Sequence, residues 1–377
     1  MTQNALHTPL TVIGLMSGTS ADGIDACILH TDGVGASRTG IQGSFDYRPN
    51  IRRGIMAARS EPASWLADPH RRDALFTAIT EDHAKAVVAL AAQSDTPIEL
   101  IGFHGQTIYH NPAAQRTIQL GDGQMLAQLT GYDTVYDFRH ADMIAGGQGA
   151  PLAPIYHQML AREAGLDLPV LFLNLGGVAN VSLVEQDRLT GCDIGPANGL
   201  IDDYCQKVLG IPFDDAGMLA STGTINQSLI EDTLQHPFFE LTGPRSLDRA
   251  TFSAVLHDKR ITNATPANAL ASLTEITARA VHHYVMVSGA TPLQLILSGG
   301  GIKNTFLLKR IAAHLPEDMP CVTANDAGFN SDMMEAELIA YLAARRLANL
   351  PSTFPETTGV FAPQICGIFT SGLTDRT

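Results

Sequence analysis

Apolar positions recur along this chain in two rhythms, one of strands and one of helices. A largely apolar run at 10–16, a Ser-Gly-Thr-Ser-Ala-Asp-Gly turn at 17–23 and an alternating stretch at 24–30 read as strand, turn, strand. The same grammar returns about half a chain later, with 170–174, a Leu-Gly-Gly turn at 175–177, and 178–184. Two such hairpins predict two related lobes. Between them, 71–92 carries apolar residues at helical spacing, and a short buried strand at 98–103 leads into His104-Gly105-Gln106-Thr107, read as a loop. The Gly- and Pro-rich loop 145–154 precedes a helix over 155–163. Further on, 191–196 breaks into a helix over 198–209 with Asn198 as its N-cap. A strand at 293–297, the turn Ser298-Gly299-Gly300-Gly301 and an amphipathic helix over 304–314 form a phosphate- or nucleotide-facing arrangement. A helix over 332–348 and a Pro-rich tail follow.

Alternating strands and helices, with a hairpin opening each half, predict an α/β protein with mixed sheets. The 377 residues exceed the usual extent of one core, about 100–200 residues per domain. Two lobes with a cleft between them are therefore expected, the first of 1–135 plus 363–377 and the second of 136–362. Hydrophobic residues make up 45% and charged residues 16%, enough apolar material for packed cores and no signature of disorder. Lys and Arg number 24 against 38 Asp and Glu, a net charge of −14 with no compensating basic run, which argues against a nucleic-acid partner. A phosphorylated anion must then be met by backbone N–H groups and a metal ion. Residues 1–9 lack the pattern of a secretory signal, and no apolar run is long enough for a membrane span, so a cytoplasmic location is expected. The five cysteines form no C-x-x-C pair and read as reduced, buried thiols.

Three glycine turns, at 18–25, 174–177 and 298–301, carry the candidate chemistry. None has the P-loop spacing or the dinucleotide G-x-G-x-x-G spacing. Such turns still cradle phosphate oxygens with backbone N–H groups and hydroxyls. The candidate nucleotide-binding residues are Gly18, Thr19, Ser20, Asp22, Gly23 and Asp25 in the first turn, Asn174, Gly176 and Gly177 in the second, and Gly299, Gly300 and Gly301 in the third. Asp22 and Asp25 are also candidates to hold Mg²⁺ through water, since that ion prefers few carboxylates plus substrate phosphates. A plain tight turn is the alternative for each taken alone.

Taken together, the turns resemble the layout of the superfamily containing actin, hexokinase and the heat-shock chaperone ATPases. There two hairpins grip phosphates and a third turn meets adenosine. The resemblance becomes specific in 18–25 (Gly-Thr-Ser-Ala-Asp-Gly-Ile-Asp), 102–107 (Gly-Phe-His-Gly-Gln-Thr), Asp137-Phe138-Arg139 running on to 146–152, 174–180 (Asn-Leu-Gly-Gly-Val-Ala-Asn) and 193–198 (Asp-Ile-Gly-Pro-Ala-Asn). In order and over nearly the whole chain, these resemble the anhydro-N-acetylmuramic acid kinase family. The resemblance implies a two-lobed actin/hexokinase-like (ribonuclease H-like) fold with a central nucleotide cleft, ATP and Mg²⁺ as cofactors, and a homodimer. It also implies a small-molecule substrate, an anhydro sugar whose 1,6-bridge is opened and whose oxygen on carbon six is phosphorylated.

That chemistry makes demands on residues. The bridged sugar has no free hydroxyl on carbon six, so water must attack the anomeric carbon while the bridging oxygen leaves toward the γ-phosphate, and a carboxylate must activate the water. The resemblance places this base on Asp193. Two neighbours depart from the family's D-T-G-P-G-N, with Ile194 for Thr and Ala197 for Gly, and the first removes a hydroxyl expected near the base. It also implies sugar contacts by His104, Gln106 and Thr107, for which structural hydrogen bonding is the alternative. Arg139 and Gln148 are candidates to meet the lactyl carboxylate, or to bridge lobes. Glu335 is a further sugar contact or a solvated helix residue, Met334 replacing the family's Lys beside it. The segment 243–250 drifts from the family's P-P-K-S-T-G-R-E. A kinase for another anhydro sugar, such as levoglucosan, and a non-catalytic ATP-binding module are the competing readings.

Overall fold

The first hairpin forms where apolar alternation places it: β1 (Leu10–Ser17) and β2 (Gly23–Thr31) pair antiparallel from Leu10↔Thr31 to Met16↔Asp25. β3 (Ala36–Asp46) adds antiparallel to β2. On the other side of β1, β4 (Leu100–Asn111) runs parallel, β5 (Arg116–Leu120) pairs back along the end of β4, and β6 (Thr134–Tyr136) lies parallel beside it. In a second sheet β7 (Val170–Leu175), β8 (Val178–Val184) and β9 (Leu189–Pro196) are antiparallel neighbours. There β10 (Gln294–Ser298) runs parallel to β7, and β11 (Cys321–Thr323) parallel to β10. β12 (Ile368–Thr370) returns to the first sheet, antiparallel to β6. The computed structural model describes residues 8–18 and 21–372.

Both sheets follow one path, β3-β2-β1-β4-β6 and β9-β8-β7-β10-β11, three antiparallel strands with parallel strands added beyond the first. This is an α/β protein with mixed sheets, each in the ribonuclease H-like order of actin/hexokinase-like folds, and each opened by one of the two hairpins.

The chain divides into two compact units, residues up to 159 together with those from 333 onward, and 160–332. The division falls elsewhere than the expected 135/136 and 362/363. Side-chain bonds explain why. Glu337 of the helix Met334–Leu347 takes Arg38 of β3 through two bonds of 2.6 and 3.0 Å and accepts the Tyr156 hydroxyl at 2.7 Å. Buried Asp142 accepts Thr358 Oγ1 at 2.6 Å. These bonds hold 136–159 and 333–362 to the first sheet.

In the first unit Ile13, Leu15, Ile24 and Ile28 pack against Ile51 and Ile55 of the helix Pro49–Ser60 and Ile79 and Val87 of the helix Pro69–Ala91. In the second, Leu171 and Leu173 meet Ala278 and Val281 of the helix Pro266–Val287 and Leu307 and Ile311 of the helix Thr305–His314. Each such Leu or Ile contributes about 1.5–3 kcal/mol by leaving water.

Three local expectations are corrected. β4 does not stop at Phe103 but runs through His104–Thr107 to Asn111, so those residues lie on a strand. Residues 191–196 belong to β9. The following helix, Asn198–Tyr204, is capped at Ala197, Asn198 is its first helical residue, and a π turn Cys205–Leu209 continues it.

The helix Met334–Leu347 reaches the first sheet through two missing side chains. Gly14 of β1 and Gly102 of β4 are partners in the parallel register. A Cβ on Gly14 would strike the Ala336 carbonyl and stand 2.8 Å from the Ala340 nitrogen, and one on Gly102 would stand 2.9 Å from the Ile339 carbonyl carbon. Since the obstacles are backbone, they cannot swing aside. Gly14→Ala is expected to destabilise the protein by at least about 2–3 kcal/mol, as overpacking does. Chemical denaturation measures it, and a change below about 0.5 kcal/mol, the usual range for a surface substitution, contradicts this packing.

Candidate functional site

The structure gathers the sequence-predicted residues into two groups, one per unit. In the first unit, the parallel register between β1 and β4 passes from Leu15↔Phe103 to Ser17↔Gln106, which leaves one extra residue on β4. Gly105 takes up this bulge at φ +73°, where a Cβ would stand 2.5 Å from the Leu120 carbonyl oxygen. A bulge re-aims the side chains beside it. Gln106 is turned inward, fully buried. Its Oε1 accepts Ser17 Oγ at 3.1 Å and its Nε2 donates to the Gly18 carbonyl at 3.0 Å. Ser17 Oγ also donates to the Gly23 carbonyl at 2.7 Å and meets the Tyr47 hydroxyl at 2.7 Å. Gln106 therefore holds the β1 end of the β1–β2 turn, and Ser17 ties that end to Gly23. Thr19 and Ser20 lie outside the described residues.

His104 is buried, and its Nε2 accepts Arg139 Nε at 3.1 Å while Nδ1 donates to the Gly105 carbonyl at 2.9 Å. Burial and then the Arg139 charge push this imidazole down to about 3, so it stays neutral and remains an acceptor. Arg139 Nη1 donates to the Gly149 carbonyl at 2.7 Å. Gln148 comes to the same corner through its carbonyl, which receives His110 Nε2 at 3.0 Å. Asp142, not weighed from sequence, fixes this loop by accepting the Gly149 N–H at 2.6 Å. Thr107 Oγ1 accepts Gln119 Nε2 at 3.2 Å.

Glu335, in the first turn of the helix Met334–Leu347, is reached by solvent. Surrounding protein and then the charge of Asp25 raise its carboxyl pKa, with Arg139 pulling the other way. Asp25, Glu335 and Arg139 thus share one neighbourhood. Asp25 also accepts Ser44 Oγ at 2.6 Å. Asp22 lines a different hollow of about 740 Å³, with Asp46, Tyr47, Pro49, Arg52, Arg53 and Met56. The hairpin therefore does not bring the two aspartates to one set of neighbours. Among the described residues no cluster of three or more His, Cys, Asp or Glu is placed to hold a metal. The donor set suits Mg²⁺ held by one carboxylate with phosphates and water.

The second unit joins the other two turns. Asn198 Nδ2 donates to the Leu175 carbonyl at 2.8 Å and the Gly176 carbonyl at 3.1 Å, and Asn198 N to the Gly176 carbonyl at 3.0 Å. Gly199 N donates to the Gly177 carbonyl at 3.1 Å, and a Cβ on Gly199 would stand 2.6 Å from that oxygen. A Cβ on Gly301 would lie 2.6 Å from Leu175 Cβ and 2.8 Å from Asn198 Nδ2, and one on Gly299 would strike Asn174 Oδ1. Gly299 also needs its φ of +81°. Gly300 is exposed and faces open space. The 174–177 and 299–301 turns are thus pressed together because two glycines, Gly299 and Gly301, leave room.

Asp193 sits half-buried on β9. Its Oδ2 accepts the Leu247 N–H at 2.6 Å, and its own N–H donates to the Arg245 carbonyl at 2.9 Å. The divergent 243–250 segment is what orients it. Ile194 is 1% exposed in the core with Leu171 and Leu173. The register between β8 and β9 shifts here, from Ala179↔Gly195 to Asn180↔Asp193, so Ile194 is the extra residue of a bulge beside the carboxylate. Ala197 is fully buried.

A family model described as anhydro-N-acetylmuramic acid kinase matches residues 10–372. A protein of Rhodopseudomonas palustris (strain HaA2) named anhydro-N-acetylmuramic acid kinase is 40% identical over 369 residues, 95% of this chain and 98% of its own. One of the same name from Nitrobacter winogradskyi is 38% identical over 371 residues, 96% of this chain and 99% of its own. Among solved structures, the (R)-2-hydroxyglutaryl-CoA dehydratase component A of Acidaminococcus fermentans is a distant likeness. It has 12% identity over 90% of this chain and 99% of its own, with a TM-score of 0.45.

Four imidazoles of the first unit lie below the ordinary value of 6.5, His104 and His157 at about 3 and His83 and His110 at about 4, each chiefly through burial. As the pH falls the unfolded chain takes up these protons first. The stability they contribute is therefore full above about pH 6.5 and is lost on descent toward pH 4. The thermal unfolding midpoint is expected to drop between pH 7 and 4.5, and to drop less steeply in a His83→Phe variant. Equal slopes in the two proteins contradict the assignment.

Proposed function

We propose an activity on one premise: this chain belongs to the anhydro-N-acetylmuramic acid kinase family. It is an ATP-dependent kinase that opens the 1,6-anhydro bridge of 1,6-anhydro-N-acetylmuramic acid with water and phosphorylates the oxygen on carbon six, giving N-acetylmuramic acid 6-phosphate for cell-wall recycling. The observation that carries the site reading is Asp193, an anchored carboxylate on a strand end in the unit that also joins two glycine turns.

Asp193 takes the proton of the attacking water as the water's oxygen bonds to the anomeric carbon. The bond from that carbon to the bridging oxygen breaks, and the oxygen attacks the γ-phosphorus, releasing ADP. Phosphoryl capture replaces a general acid. Leu247 N–H holds one carboxylate oxygen still, which fixes the direction in which the carboxylate meets the water. Backbone N–H groups of the turns at Gly18 and Gly23, at Asn174, Gly176 and Gly177, and at Gly299, Gly300 and Gly301 receive the nucleotide. Asp25 or Asp22 would hold Mg²⁺ through water, and the ion would supply charge neutralisation to the phosphates.

Arg139, with Nε on His104 and Nη1 on Gly149, is preorganised to meet the lactyl carboxylate. His104 and Gln106 then act by holding Arg139 and the first turn, while Thr107, Gln148 and Glu335 are the remaining sugar-contact candidates. The protein works as a cytoplasmic homodimer, a reading that follows from family membership, and its charge of −14 suits a small-molecule partner rather than nucleic acid. Among the described residues no helix is long and apolar enough to cross a membrane.

Purified protein with Mg-ATP and the anhydro sugar is expected to yield the 6-phosphate, and ¹⁸O from labelled water to enter at the anomeric carbon. Asp193→Asn should lower kcat by about 10²–10⁴-fold, the usual worth of general base catalysis. Label in the phosphate, or an Asp193→Asn enzyme as fast as the parent, sinks the mechanism. Levoglucosan turned over with a higher kcat/KM than the muramic sugar would favour the other anhydro-sugar reading.

A further inference from the structure

The strand-end turn at 174–177 has a cation beside it that no glycine motif announces. The segment 243–250, after fixing Asp193 through Arg245 and Leu247, carries Arg249 across the face of Gly177. A Cβ on Gly177 would have Arg249 Cδ at 3.6 Å, Nη1 at 3.7 Å and Nε at 3.9 Å as its nearest neighbours. Gly176 is more open, with nothing nearer than 3.6 Å. The guanidinium is held from behind through Nη2 alone, which donates to Asp203 Oδ1 at 2.6 Å and the Gly199 carbonyl at 3.3 Å. No hydrogen-bond partner among the described residues meets Nε or Nη1. The side chain is 38% exposed, so Nη1 is available to a ligand.

We propose that Arg249 is a phosphate-contacting residue whose Nη1 meets the terminal phosphoryl group of the nucleotide at the 174–177 turn, an inference resting on the kinase reading above.

Three features carry it. A guanidinium is planar and always charged, and one tethered at Nη2 has its remaining Nη1 donor held in place for a phosphoryl oxygen. The anchor comes from Asp203 and a backbone carbonyl of the helix that itself grips the glycine turn, so turn and cation move as one body. Local charge supplies the need. The half-buried Asp202 and Asp203 stand beside the turn in a chain of net charge −14, and without a cation they would repel a nucleotide. Crowding is felt at Asp202, whose carboxyl rises to about 6 through burial and then the charge of Asp203, with Arg249 opposing.

The test is Arg249→Gln, with Arg249→Lys beside it. Calorimetric titration with ADP and with the non-hydrolysable ATP analogue AMPPNP compares binding with and without a third phosphoryl group. The expected result is a loss of about tenfold or more in AMPPNP affinity with ADP affinity within about twofold of the parent. Turnover is expected to fall by about 10²–10³-fold in kcat, as when one donor to developing charge is removed. Added guanidinium should restore part of it, and lysine should recover less than arginine. Equal weakening for ADP and AMPPNP, no weakening of either, or a kcat within about threefold of the parent overturns the proposal. If Arg249→Gln does not fold, Arg249→Lys, which keeps the charge but not the fork, reads the same difference at smaller amplitude. The nucleotide comparison uses no sugar, so its failure is distinct from failure of the anhydro-sugar reading.

Discussion

In each unit a single side-chain amide holds the glycine turn of the leading hairpin. Gln106 clasps Ser17 and the Gly18 carbonyl, and Asn198 clasps the Leu175 and Gly176 carbonyls. Tying these groups to the protein fixes the path of each turn, and successive N–H groups in a turn make an anion cradle. A chain with 38 acidic residues against 24 basic ones has no global field with which to draw a nucleotide. On the proposed reading, its capacity for phosphate depends on these held turns and on Arg249 beside the second of them.

The second constraint is the lack of room for side chains where backbone meets backbone. Gly14 and Gly102 admit the helix that carries Glu335, while Gly199, Gly299 and Gly301 let two turns and a helix start close on one another. Asp193 is then aimed by an N–H from outside its own sheet, at Leu247, in a segment without regular structure. Preorganised positioning of this kind is where much of an enzyme's advantage resides.

Both hairpins were legible in the sequence because strand alternation and glycine turns are local signals. The helix Pro69–Ala91, the helix beginning at Thr305 and the α/β class were legible for the same reason. What escaped was non-local. The passage of β4 through His104–Thr107 depends on a bulge at Gly105 that only the register with β1 defines. Gln106 looked like a ligand contact and is spent on the first turn. Asn198 looked like a cap and instead reaches back to β7. Ile194 falls at the register shift between β8 and β9, which only the pairing of the two strands defines. Arg249 lay in a segment whose departure from the family pattern drew attention away from it.

In the proposed mechanism the carboxylate of Asp193, steadied by Leu247, directs water to the anomeric carbon from the side opposite the departing bridge. Displacement of this kind inverts the carbon, and the 1,6-bridge occupies the β face, so the first product must be the α anomer. Proton NMR recorded during turnover, before the product's anomers equilibrate, tests this directly. The account predicts that the α-anomeric signal of the 6-phosphate rises first and the β signal follows only by mutarotation. A β anomer formed first, or both anomers formed together from the start, would contradict it.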